Sequence, residues 1–202
     1  MALSACTELR DAARQHLLAI ARNAIESGIS NNTAPQVPLA ELPEALLSQR
    51  GAFVTLTIGE RLRGCVGNLA ANQALAQSVA DAAHNAAFRD HRFSPLAAHE
   101  LALTRIEISV LSPTEDMPVA NREDLLRQLT PGSDGLVLRD GRCHATFLPK
   151  VWEQLPEPES FLAQLLKKAG LPEDHWSDTL QFERYRSTSF TESKASVPRQ
   201  GK

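Results

Sequence analysis

The stretch "RLRGCVGNL", residues 61–69, combines a guanidinium, a thiol and two glycines within five positions, Arg63 to Gly67. On a β-strand alternate side chains share a face, so Arg63 and Cys65 are expected on one side and Leu62 and Val66 on the other. A cation near a thiol favours the thiolate, the nucleophilic form. Gly64 and Gly67 remove side-chain bulk, which lets a ligand or a second backbone approach. Cysteine is equally a common small core residue and Arg63 an ordinary ion-pair partner, so these residues leave a working site and an architectural element both open.

Two further pairs could join such a site. Glu107 and Ser109 share the strand face opposite Ile106, Ile108 and Val110 in "LTRIEISVLS". If that strand lies beside the first, Glu107 can orient Arg63 or serve as an acid/base group. Asp90 and Arg92, in "RDHRFSP", follow a helical stretch. An acid at a helix C-terminus opposes the dipole and calls for a local partner or a purpose, of which turn formation and a salt bridge to Arg92 or its neighbours are the simplest. Arg63 and Arg92 could alternatively hold a carboxylate or phosphate bidentately. The catalytic candidates are therefore Cys65, Arg63 and Glu107, and the substrate-binding candidates are Gly64, Gly67, Asp90, Arg92 and Ser109.

Other chemistries find little support in the residues. His84, His91 and His99 are spaced by seven and eight residues across an expected helix end, with no HxH or HxxxH pair, so no metal site is assigned. Cys143-His144 flanks a turn and receives no role. No G-x-S-x-G elbow, GxxxxGK[ST] loop or GxGxxG fingerprint occurs, and no cofactor is inferred.

The elements that must position these groups are legible in outline. Residues 7–27 read as an amphipathic helix through Leu9, Ala13, Leu17, Ile20 and Ala24, capped by Thr7 and ended by Gly28. "GAFVTLTIGERLRGCVGNL" reads as a hairpin with strands near 52–58 and 61–67. Residues 72–89 are alanine-rich and helical, with a smooth face that permits close approach by another element. A short helix is expected at 122–129, a second hairpin around Asp140-Gly141, a helix ending at Gly170 and a late strand in "TLQFERYRSTSFTE", where Phe182 and Tyr185 fall out of phase. The last dozen residues are polar and expected to be loose. Strands that arrive as hairpins favour an α+β fold with mainly antiparallel sheet flanked by helices.

Composition sets the outer bounds. The 202 residues are 43% hydrophobic, enough for a normal core, with 21 basic against 24 acidic residues and 5% aromatics. That balance argues against recognition of nucleic acid or membrane surface by bulk charge, and against base-stacking platforms. Cys6, Cys65 and Cys143 are odd in number and form no CxxC pair, which fits a reducing compartment. With no apolar run near the ~20 residues of a membrane span and no leader pattern at the start, a cytoplasmic location is expected.

"GAFVTL", "LRGCVG", "AAFRDHRFSP", "IEISVLS", "DGLVL" and "FLPKVW…FLAQLLKKAGLP" stand in the order of the AMMECR-type domain family, which the chain resembles over roughly residues 8–190. The chain departs from the family pattern at His91, where proline is usual, and at Lys150, where glutamine is usual. The resemblance implies one domain of two subdomains, the larger built from both chain ends and the smaller inserted, with a cleft where they meet. It also implies a pathway shared with Memo-like and radical SAM proteins, the AmmeMemoRadiSam system. The combined reading is a catalytic or accessory-enzyme component acting on a small anionic or modified substrate with Cys65 in the cleft. The alternative is a non-catalytic binding or scaffold module that engages a partner protein.

Overall fold

The computed structural model describes residues 9–31, 33 and 35–192. The described residues divide into two compact units, one formed by those up to Val110 together with those from Thr188 onward, and the other by Leu111–Ser187. The fold is α+β with two antiparallel sheets, and each unit has its own core.

In the first unit, α1 (Asp11–Asn31) is followed by the single turn α2 (Glu44–Leu47), the hairpin β1 (Ala52–Ile58) and β2 (Arg61–Asn68), α3 (Leu75–Phe88) and β3 (Thr104–Leu111). The late strand β8 (Ser187–Thr191) completes a four-stranded sheet of order β2-β1-β3-β8. Strand alternation decides which face is covered. Val54, Leu56, Ile106, Ile108 and Val110 are buried on the face that meets α3, which lies against β1 and β2 while α1 packs on α3. The opposite face carries Thr55, Cys65, Glu107 and Ser109.

Helix α1 runs through Gly28 instead of stopping there. A Cβ on Gly28 would stand 2.2 Å from Cε2 of Phe88 and 2.9 Å from Nδ1 of His84, so this glycine admits the α3 aromatics instead of terminating the helix. Thr7, the expected cap, and Cys6 lie outside the described residues, as does most of the expected loose tail. Thr191 and Glu192 correct that tail at its start. Thr191 ends β8, and the Glu192 carboxylate pairs with the Arg22 guanidinium, whose other donors reach the Leu101 and Thr104 carbonyls at 3.0 and 2.8 Å.

The second unit contains β4 (Glu115–Asp116), α4 (Arg122–Gln128), the hairpin β5 (Gly135–Asp140) and β6 (Cys143–Phe147), α5 (Pro158–Lys168) and β7 (Gln181–Tyr185), with sheet order β4-β7-β5-β6. Gly141 and Gly170 adopt φ of +58° and +81°, the left-handed conformations required at the hairpin turn and after α5. Trp152 stacks on Phe161 at 3.8 Å between ring centroids, so the "FLPKVW" segment supplies core. The expected late strand is two strands, interrupted at Arg186 and assigned to different sheets. Phe182 and Tyr185 lie on β7, both buried in the second unit.

Candidate functional site

The antiparallel register brings four of the sequence candidates into two neighbouring rows. Thr55 pairs with Cys65 on one side and Glu107 on the other, so Cys65, Thr55 and Glu107 cross the sheet in line. One step along, Phe53 pairs with Gly67 and Ser109, and Ser109 Oγ meets Ser189 Oγ on β8 at 2.8 Å. Both rows lie on the face away from α3.

Cys65 is a half-buried free thiol, and its Sγ accepts a hydrogen bond from the Thr55 hydroxyl at 3.3 Å. Its main chain is fully committed. Because β2 is an edge strand, the Cys65 N–H and C=O point away from β1. The N–H donates to Oδ2 of Asp90 at 2.9 Å, and the carbonyl accepts from Nη2 of Arg92 at 3.2 Å. Asp90 and Arg92 thus form the ion pair expected of them, at 2.7 Å, and together supply the donor and acceptor of a missing neighbouring strand. The Arg92 guanidinium holds the Asp90 carboxyl well below the usual carboxylate range, against the opposing effect of burial and with help from the Cys65 and Arg92 amides.

Arg63 does not join this group. Gly64 pairs with Leu56 while Leu62 pairs with Thr57, which leaves Arg63 as the extra residue of a β-bulge. The bulge shifts Leu62 onto the Thr57 face, where it is 43% exposed, instead of onto the Val66 face where simple alternation places it. The Arg63 guanidinium forks onto Glu100, with Nε to Oε1 and Nη2 to Oε2 both at 2.8 Å, and also donates to the Pro95 carbonyl at 3.3 Å. Arg63, together with the Ala97 amide, lowers the Glu100 carboxyl to about 2. Hydrogen bonding to Glu100 in turn raises Arg63 above its ordinary value.

The expected pairing of Glu107 with Arg63 is therefore corrected. Strand β1 lies between β2 and β3, which sets Glu107 roughly 10 Å from β2 at about 4.8 Å per strand spacing. Glu100 takes its place. No sequence spacing pointed to Glu100 or to Thr55, because both depend on which strands and loops become neighbours. The carboxylate or phosphate clamp expected of Arg63 and Arg92 meets the same fact: each guanidinium already carries a carboxylate of its own chain.

The two glycines also resolve by geometry. A Cβ on Gly64 would stand 2.1 Å from the Ala86 carbonyl oxygen of α3, and one on Gly67 would stand 2.4 Å from Cγ of Phe53. What approaches them is a second backbone and an aromatic ring. His84 is buried in the first unit while His91 and His99 are exposed, and among the described residues no three His, Cys, Asp or Glu groups are placed to hold a metal ion. No helix among the described residues is long and apolar enough to cross a membrane.

The family model described as AMMECR1 matches residues 18–190. A protein of Saccharolobus solfataricus is 36% identical over 195 residues, covering 93% of this chain and 85% of its own length. A protein of Methanothermobacter thermautotrophicus is 36% identical over 163 residues, covering 80% of this chain and 84% of its own. The crystal structure of an uncharacterised protein from Pyrococcus horikoshii superposes with a TM-score of 0.82 at 30% identity, over 91% of this chain and 93% of that one. With more than half its length matched by the family model and relatives above 30% identity across most of both chains, this chain belongs to the AMMECR1 family.

Proposed function

We propose that the protein is a ligand-binding accessory component whose working surface is the sheet face carrying Cys65, Thr55, Glu107 and Ser109, and that its ligand is a small molecule or peptide segment engaged at the thiol. One observation carries this reading. Both main-chain groups of Cys65 are spent on Asp90 and Arg92, so the residue is fixed in place and its free thiol is what remains to meet a partner. The commitment of Arg63 and Arg92 to Glu100 and Asp90 weakens the case for an anionic substrate and favours a neutral or weakly polar one. In a pathway with Memo-like and radical SAM proteins, such a component would present or receive a substrate handled by the others.

A catalytic reading draws on the thiol itself as nucleophile, with the Thr55 hydroxyl at its sulfur and Glu107 further along the same row. Alkylation of the native protein with iodoacetamide across pH, read at Cys65 by peptide mass spectrometry with Cys65→Ser as control, separates the two. An apparent thiol pKa near the ordinary ~8.5 together with protection by bound ligand supports the binding component. Rapid alkylation well below that pH supports a nucleophile. A Cys65 that reacts only after unfolding ends both.

A further inference from the structure

A concavity lies in the first unit, between the C-terminal end of β2, the 69–73 loop and α3, with a cavity volume of about 280 Å³. Its wall on α3 is a polar stripe. Ser78, Asp81 and Asn85 follow one another at intervals of three and four, with Ala82 between them keeping the floor open. On a helix such spacing sets side chains on one face. Most of the rest of the helix is apolar and buried, through Leu75, Ala76, Val79, Ala80, Ala83, Ala86 and Ala87, with His84 the buried polar exception.

Asp81 is the unusual member. Its Oδ1 accepts from the Gln77 amide and its Oδ2 from the Gln73 amide, both at 2.9 Å. These partners are neutral, and no cation of the described residues forms an ion pair with it. Each carboxylate oxygen has two lone-pair directions, so one remains on each after the glutamine bonds. The glutamines fix the carboxylate against the wall without balancing its charge. Beyond it, the side chains of Asn72, Ser78 and Asn85 hydrogen-bond to none of the described residues.

We propose that this groove binds a small organic cation, with an ammonium or guanidinium group at Asp81 and neutral hydrogen-bonding groups along Ser78 and Asn85. The lining supplies one fixed negative charge, uncommitted amides and a hydroxyl, and an apolar floor at Val66 and Ala82. A carboxylate or phosphate ligand would meet Asp81 as a like charge. The volume falls just below the ~300–1,000 Å³ of sites for drug-sized ligands, so the occupant is a compact molecule. Its polar groups lie on the α3 side of the sheet edge, away from the Cys65 thiol, and of the two rows on the Cys65 face only Gly67 lines it.

Titration calorimetry on the full chain tests the proposal with agmatine, putrescine and glucosamine as cationic probes, and glucose, butyramide and glutarate as neutral and anionic ones. At least one cationic probe is expected to bind at millimolar or better affinity, and the neutral and anionic probes at least tenfold more weakly. Asp81→Asn is expected to lose at least that factor. Asn85→Leu, which leaves the glutamine bonds of Asp81 intact and fills the groove, is expected to do the same, and it carries the test if the first variant does not fold. Cys65→Ser is expected to leave cation binding unchanged, so failure here and failure of the thiol reading are read separately. The proposal is overturned if no cationic probe binds at millimolar concentration, if neutral probes bind equally well, or if folded Asn85→Leu binds like the parent.

Discussion

Replacing Gly64 by alanine distinguishes a glycine kept for ligand access from one kept for packing. The added Cβ would lie 2.1 Å from the Ala86 carbonyl oxygen, where ordinary contact begins at 3.4 Å. Neither atom belongs to a flexible side chain, so no rotamer change relieves the clash, and α3 must draw away from β2 by more than 1 Å. That separation opens the contact between α3 and the sheet at the centre of the first core. Overpacking costs about 1–3 kcal/mol, and a backbone-to-backbone clash belongs at the upper end. For a chain of this size about 3 kcal/mol corresponds to a fall in melting temperature of roughly 6–12 °C. Gly59→Ala is the matched control. Gly59 adopts φ of +61° with no atom within 4 Å of the added Cβ, so it bears only the left-handed backbone cost of about 1–2 kcal/mol. Calorimetric melts and urea titrations of both variants provide the measurement. If Gly64→Ala melts no lower than Gly59→Ala, the close approach of Ala86 is not what requires glycine, and the packing account of the motif fails.

Three other perturbations follow from the same contacts. Glu100→Gln leaves the half-buried Arg63 charge unpaired, and a loss of about 2 kcal/mol is expected at neutral pH. The Glu100 carboxyl is lowered from 4.5 to about 2 in the fold, so its contribution is fully present above pH 4.5 and fades as pH falls towards 2. Parent and variant stabilities should accordingly converge across that window in acid titrations followed by urea melts. His84 is buried with an unpartnered Nδ1, and burial lowers its pKa below the ordinary 6.5. The unfolded chain therefore binds the proton first, and stability is expected to decline as pH falls below 6.5, a slope that His84→Leu should flatten. Asp90→Ala removes the acceptor of the Cys65 amide and is expected to cost about 1–2 kcal/mol. Asp90→Asn keeps one acceptor oxygen, enough for the Cys65 amide, but loses the ion pair and the Oδ1 bonds to the largely exposed Arg92, so a smaller cost of about 1 kcal/mol is expected from chemical denaturation.

Much of the fold was legible from periodicity and turn chemistry. The first hairpin lies at 52–58 and 61–68, the alternation of Ile106, Ile108 and Val110 identifies the buried face of β3, and Asp140-Gly141 marks the turn between β5 and β6. These are local signals, set by the two-residue strand period and by backbone conformations that only some residues adopt. The short elements were not visible, because α2 and β4 are too brief to carry a period. Gly28 misled for a physical reason: a glycine that admits a neighbouring helix is the same residue type as one that ends a helix.

The candidate site divides along the same line. The amino-acid sequence by itself determined that Cys65, Glu107 and Ser109 would occupy polar strand faces, and that Asp90 would need a local partner, with Arg92 among the candidates. Only the tertiary structure decided that Arg63 falls in a bulge and binds Glu100, that β1 separates Glu107 from β2, and that the approach to Gly64 comes from Ala86. Away from a bulge, which face a side chain takes is settled within a few residues, by the backbone period. Which partner it meets depends on strand order and helix docking, and those follow from burying a whole core at once.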